Sequence, residues 1–131
     1  MILNENMNIS NIESFLEGII RGVVSNNVFV GTLPTTIKKE WNDMCLVTCS
    51  NAISDMEAKG MGVVFIWLYA KPNSDGTKNV AKMLDLETRM NSVVQNNQSP
   101  IYAINRRATY TEYDEARKWH CNVVELNIQI F

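Results

Sequence analysis

The chain is poor in the residues that most often announce a chemistry. It has one histidine, three cysteines, three prolines and six glycines in 131 residues. An odd and small number of thiols in a chain of this size does not make a disulfide framework, so the sequence reads as an intracellular, reduced protein. A single histidine excludes a His-Glu-x-x-His zinc motif, and no Ser stands in a Gly-x-Ser-x-Gly setting. There is no excess of either charge: Lys+Arg is 12, Asp+Glu is 14, and the net charge is −2. A dedicated nucleic-acid binder carries a basic excess, because neutralising phosphates supplies most of its affinity. Long hydrophobic runs are missing too. The most apolar stretch, Met61–Ala70, lies between Lys59 and Lys71 and is about half of what a membrane span needs. The opening MILNENMNIS has no positive segment followed by an apolar one, which speaks against a secretory signal.

What is present suits one globular domain over 1–131, with 46 % hydrophobic residues and 20 % charged. Residues 1–9 read as a flexible N-terminus. Ser10 and Glu13 form a capping-box pattern, and Ile12, Phe15, Leu16, Ile19, Ile20 and Val23 recur at helical period, which predicts a helix over 11–24. Val28–Val30 reads as a short strand ended by Gly31, and 31–43, with Pro34 and Lys38-Lys39-Glu40, as a loop or extended arm. Met44–Thr48 reads as a strand, and Ser50–Gly60 as a hairpin loop or one turn of helix.

Met61–Lys71 is the strongest strand. Val63, Phe65, Trp67 and Tyr69 point one way and Val64, Ile66, Leu68 and Ala70 the other, so both faces are apolar. Pro72–Gly76 is a turn, followed by a helix over 78–96 with Val80, Met83, Leu84, Met90, Val93 and Val94 as its stripe. Strands over 101–110 and 119–130 complete the chain. The order α-β-β-β-α-β-β, with connections too brief for parallel crossovers, predicts an α+β fold. Its mostly antiparallel sheet has four to five strands flanked by two helices.

Candidate chemistry is thin. Cys45, Cys49, His120 and Cys121 are metal-ligand types, but extended Cys45–Cys49 spans about 13 Å. His120 and Cys121, adjacent on a strand, face opposite ways, so no zinc site is expected. A Cys–His pair is the remaining base-assisted nucleophile, and a lone histidine on the core side of a strand reads as structural. Gly60-Met61-Gly62 precedes a strand, not a helix, and lacks the setting of a phosphate loop. Asp85 and Glu87 diverge by about 200° on a helix, while Asp55/Glu57 and Glu112/Asp114/Glu115 read as solvated loop charge. Arg106 and Arg107 project to opposite faces of a strand. The expectation is therefore no catalytic residue, no metal, no cofactor and no enzyme.

Surplus apolar strand surface remains, and such surface in a soluble domain marks protein–protein contact. Trp67, Tyr69 and Arg106 are the candidate interface residues. The competing expectation is a compact monomer in which both helices cover the same sheet and bury everything.

The apolar strand GVVFIWLYAK (62–71), the helix KNVAKMLDLETRMNSVVQ (78–95) and the terminal strand HCNVVELNIQIF (120–131), in this order, resemble the small neck and tail proteins of tailed bacteriophages. The nearest of these are tail terminator or tail-completion proteins of the head–tail joining group. The resemblance covers nearly the whole chain and rests on element order and pattern. It implies a structural assembly protein of a phage or prophage with no catalytic residues. Its partners would be copies of itself in a ring, often a hexamer, together with tail-tube and head-completion proteins. It implies no membrane and DNA only by passage through the ring lumen, in the host cytoplasm or in the virion neck or tail. That family often presents a long hairpin, from which the arm 31–43 departs. Two other readings stand beside it: a small ligand- or peptide-binding α+β domain with a pocket at Cys121/His120, and a thiol-dependent enzyme using Cys121 or Cys45.

Overall fold

The structure is a computed structural model that describes residues 8–54 and 61–131. The predicted N-terminal segment 1–9 lies mostly outside the described residues, as does the end of the predicted loop, 55–60. The elements run α1 (Ile9–Ile20), β1 (Val28–Val30), β2 (Asp43–Ser54), β3 (Met61–Ala70), α2 (Val80–Asn96), β4 (Tyr102–Asp114) and β5 (Trp119–Ile130). This is the expected α+β order. The five strands form one sheet, β1-β2-β3-β5-β4, antiparallel throughout except between β1 and β2.

That exception corrects the expectation that every connection is too short for a parallel return. Parallel neighbours need a crossover of about a dozen residues, and 31–42 supplies one without a helix. It starts at Gly31, whose φ of 81° is a conformation other residues avoid, and brings the chain back so that Val28 lies beside Cys45.

Both helices lie on one face of the sheet. Ile12, Leu16 and Ile20 of α1 and Met83, Leu86, Met90 and Val93 of α2 pack on Cys45, Val47, Val64, Ile66, Leu68, Val124, Leu126 and Ile128. The period of α1 was legible, but its ends differ. Asn8, not Ser10, caps it by accepting the amide of Asn11 at 2.9 Å. Glu13 instead accepts the amide of Cys49 at 3.1 Å and ties the helix to β2. The helix stops at Ile20 because Gly22 turns left-handed at φ 83°, which leaves Val23 exposed.

In α2 the buried stripe uses Leu86, whereas Val80 and Leu84 are 66 % and 62 % exposed. Asn79 caps this helix through the amide of Lys82 at 3.0 Å, which sets the start two residues later than the pattern implied. Strand β4 runs four residues further than expected and ends in a tight turn at Lys118, whose φ is 60°.

The other face of the sheet carries a second cluster: Met44, Leu46, Tyr69, Trp119, Cys121 and Val123. Its cover is the crossover itself, through Leu33, Ile37 and Trp41. Trp41 packs at a tilt against Phe29 with ring centroids 5.5 Å apart, and the Lys38 ammonium stands 5.8 Å over the Trp41 ring. The arm is thus an irregular lid on half of the far face.

Candidate interaction surfaces

Alternation along β3 sends Phe65, Trp67 and Tyr69 to the far face, where they meet Thr48, Leu46 and Met44 of β2 and Glu125, Val123 and Cys121 of β5. The three aromatics have different fates. Tyr69 is only 5 % exposed and belongs to the cluster with Trp119 and Cys121 beneath the arm, so its ring is core in a single chain. Burial pushes its phenol well above the usual range, with Cys121 as the next contribution. Phe65 and Trp67 lie nearer the other end of the face and stay half-buried. Trp67 Nε1 donates to Thr48 Oγ1 at 3.3 Å, which ties the indole to β2.

Beside them on the same face, Tyr110 of β4 stands opposite Val123 and is 41 % exposed. Arg107 pairs with Glu125 at 3.3 Å. The result is an aromatic patch with a charged rim, the composition common at protein interfaces.

Arg106 is not part of this patch. Opposite Leu126, it lies on the helix side of the sheet and donates to Asn91 Oδ1 of α2 at 3.1 Å. There it lines a shallow groove of about 450 Å³ with Leu84, Glu87, Thr88 and Asn91. The structure therefore brings Trp67 and Tyr69 together and places Arg106 on a different surface. Tyr110 and Phe65 are the patch residues that pattern reading passed over. Phe65 shares the alternation of Trp67, and Tyr110 was hidden by a bulge between Arg106 and Ala108 that changes the phase of β4.

The groups considered for chemistry are dispersed. Cys45 and Cys49 share the helix face, Cys121 is on the far face, and His120 returns to the helix side opposite Ala70. His120 packs at a tilt against Tyr113, ring centroids 4.9 Å apart, and reaches the Gly76 carbonyl at 3.3 Å. Among the described residues no group of three or more His, Cys, Asp or Glu is placed to hold a metal ion. Cys121 lines a cleft of about 180 Å³ with Trp67, Tyr69, Glu112, Tyr113 and Asp114, but His120 does not.

Burial pushes the Cys121 thiol up to about 12, against a partly offsetting hydrogen bond with Tyr69 and with Glu112 and Asp114 adding to the rise. Burial also drives Cys45 far above the ordinary range, with Asp43 adding to it. Both thiols stay protonated in the folded chain and ionise in the unfolded one from about pH 9. Stability is thus full below that pH and falls as pH rises through the window up to about 12. At pH 9 iodoacetamide should label Cys45 and Cys121 at least about a hundredfold more slowly in the folded chain than after unfolding in urea. Peptide mass spectrometry reads this directly; equal rates at Cys121 would place that thiol in an open, activating site.

A polar cluster ties α2 to the sheet end. Lys82 Nζ pairs with Asp43 at 2.8 Å, and Asp85 pairs with Arg89 at 3.0 Å. Asn27 donates to the Asp43 carbonyl at 3.1 Å, and the Ser25 hydroxyl donates to the Asp43 carboxylate. Ser25, Asn27, Asp43, Lys82 and Arg89 line a cavity of about 250 Å³. No helix among the described residues is long and apolar enough to cross a membrane. In comparisons with known proteins, no family model and no curated protein matches this chain.

Proposed function

We propose that this chain is a structural assembly protein, a subunit of the tail-terminator or head–tail joining kind from a phage or prophage. It works by associating with its own copies into a ring, hexameric as the resemblance implies, and by docking on tail-tube and head-completion proteins. It acts in the host cytoplasm or in the virion neck, away from membranes, and meets DNA only through the ring lumen. The observation that carries this reading is the half-covered far face. An arm lids Tyr69, Trp119 and Cys121, yet Phe65, Trp67 and Tyr110 stay partly exposed beside it. Sister subunits or tail proteins are the occupants the resemblance supplies for that aromatic patch. The scattered thiols and histidine support a binding role over the thiol-enzyme alternative. The 180 Å³ cleft at Cys121 is smaller than the ~300 Å³ at which ligand pockets usually begin, which weakens the small-ligand alternative.

Size-exclusion chromatography with light scattering across a concentration series tests it. The wild-type chain should form a closed oligomer larger than a dimer. Trp67→Arg should weaken that oligomer by about thirtyfold or more, the effect of removing one central anchor. Wild-type protein that never exceeds a dimer at its highest soluble concentration overturns the ring.

A further inference from the structure

The sheet has two edges of very different character. β1, at one side, is three residues long. At the other side β4 is thirteen residues long, has β5 as its one strand neighbour among the described residues, and is exposed from Asn105 to Tyr113. A long open edge is a template for pairing, and proteins usually blunt one with Lys, Pro, bulges or a covering segment.

This chain blunts only the first part. The Gln98 side chain lies along the edge like a short strand: its Oε1 accepts the Ile104 amide at 2.9 Å and its Nε2 donates to the Ile104 carbonyl at 2.7 Å. The bulge between Arg106 and Ala108 follows. Beyond it the strand is regular again, and its residues Thr109, Tyr110, Thr111 and Tyr113 are the β-branched and aromatic types that favour pairing.

Ile104 turns both main-chain groups away from β5, toward Gln98, and its partner on β5 is Ile128. In an antiparallel ladder such positions alternate. On β5 the same class continues at Leu126, Val124, Asn122 and His120, whose partners on β4 are Arg106, Thr109, Thr111 and Tyr113. Past the bulge, then, Thr109, Thr111 and Tyr113 present their N–H and C=O outward.

Charge chooses the occupant. The open stretch has Arg107 two residues before its start and Glu115 two residues after its end. An antiparallel second copy of the same edge sets the basic end of each strand against the acidic end of the other, twice over. A two-fold contact is self-complementary in this way by construction. We propose that the edge of β4 from Thr109 to Tyr113 pairs antiparallel, about a two-fold axis, with the same edge of a second copy of this chain. Thr109 of each copy then lies opposite Tyr113 of the other, Thr111 lies on the axis, and Arg107 faces Glu115. The contact lies on a different surface from the far-face patch, does not itself close a ring, and holds whether or not the ring forms.

Two charge-reversed full-length chains test it. One carries Arg107→Glu, the other Glu115→Lys. In native mass spectrometry and sedimentation at low salt, each alone should lose the two-fold pairing by about tenfold or more. Mixed, they should recover it as one-to-one pairs, because both ends are again opposite in sign. Carrying the same substitutions in a Trp67→Arg background separates the outcome from that of the ring. Hydrogen exchange on the unaltered chain is the second measurement: the amides of Thr109, Thr111 and Tyr113 should gain protection as concentration rises. Reversed chains that pair as well alone as mixed, or outward amides whose exchange is independent of concentration, overturn the proposal.

Discussion

Ile66→Ala should lower the free energy of unfolding by about 3–4 kcal/mol, while Phe65→Ala, one residue earlier on the same strand, should cost less than about 2 kcal/mol. Ile66 is fully buried at the centre of β3, between Val47 and Val124 and under both helices. The strands on either side are hydrogen-bonded in place, so the space left by the side chain cannot close, and both the transfer loss and the cavity cost are felt. Phe65 points to the other face, beyond the arm, where it is only half-buried opposite Thr48 and Glu125. Much of its ring already meets water in a single chain, so less is lost on truncation. Urea unfolding at low protein concentration measures both. Equal costs would mean that the far face is fully covered in the monomer, and the case for docking there would fall with it. At high concentration Phe65→Ala should also reduce association, and Ile66→Ala should not do so beyond its effect on folding.

The same two residues explain why the fold was largely legible. Alternation over Met61–Lys71 assigned the two faces of β3 without ambiguity, because a β-strand has no other way to place consecutive side chains. The 3.6 period likewise found α1, since Ile12, Leu16 and Ile20 all point to one core. Periodicity fails where several phases fit. In α2, Leu84 and Leu86 are both good stripe candidates, and only the position of the helix over β3 decides for Leu86. It fails again at Asn8, where the capping side chain was outbid in the pattern by the Ser10/Glu13 pair. Glu13 had a long-range partner at Cys49 that no local rule can see.

The interaction surfaces were less legible for a related reason. Size and a place on an apolar strand mark Trp67 in the sequence, and the structure leaves it partly exposed. Tyr69 has the same local signature, but its burial depends on Leu33, Ile37 and Trp41, which lie in a segment without any period. An irregular arm carries its hydrophobic residues at spacings set by the surface it crosses, so its core role shows only once that surface is known. Arg106 and Arg107 project to opposite faces, as strand alternation implies. The bulge that follows Arg106 shifts every later residue of β4 by one, and that shift decides which amides of the edge face outward.

Asn122→Ala should cost about 2–3 kcal/mol, more than its small apolar content explains. Asn122 is 7 % exposed, on the helix side of β5, at a position where Val124, Leu126 and Ile128 of the same face are plain core. Its amide satisfies three neighbours at once: Oδ1 accepts from Lys78 Nζ at 3.1 Å and from Thr111 Oγ1 at 3.0 Å, and Nδ2 donates to Glu87 Oε1 at 2.6 Å. It thereby joins the start of α2, the middle of that helix and the β4–β5 pair. Truncation strands a hydroxyl, an ammonium and a carboxylate in a half-buried setting, where each loses a partner that water replaces poorly. A double-mutant cycle isolates the effect: with Glu87→Ala as the second change, the coupling should reach about 1 kcal/mol, since the two groups share one short bond. A cost under about 0.5 kcal/mol for Asn122→Ala would show that water substitutes freely at this seam. In that case Thr111, whose main-chain groups face the open edge of β4, would not be held by its side chain, and pairing at that edge would have to order the strand as it forms.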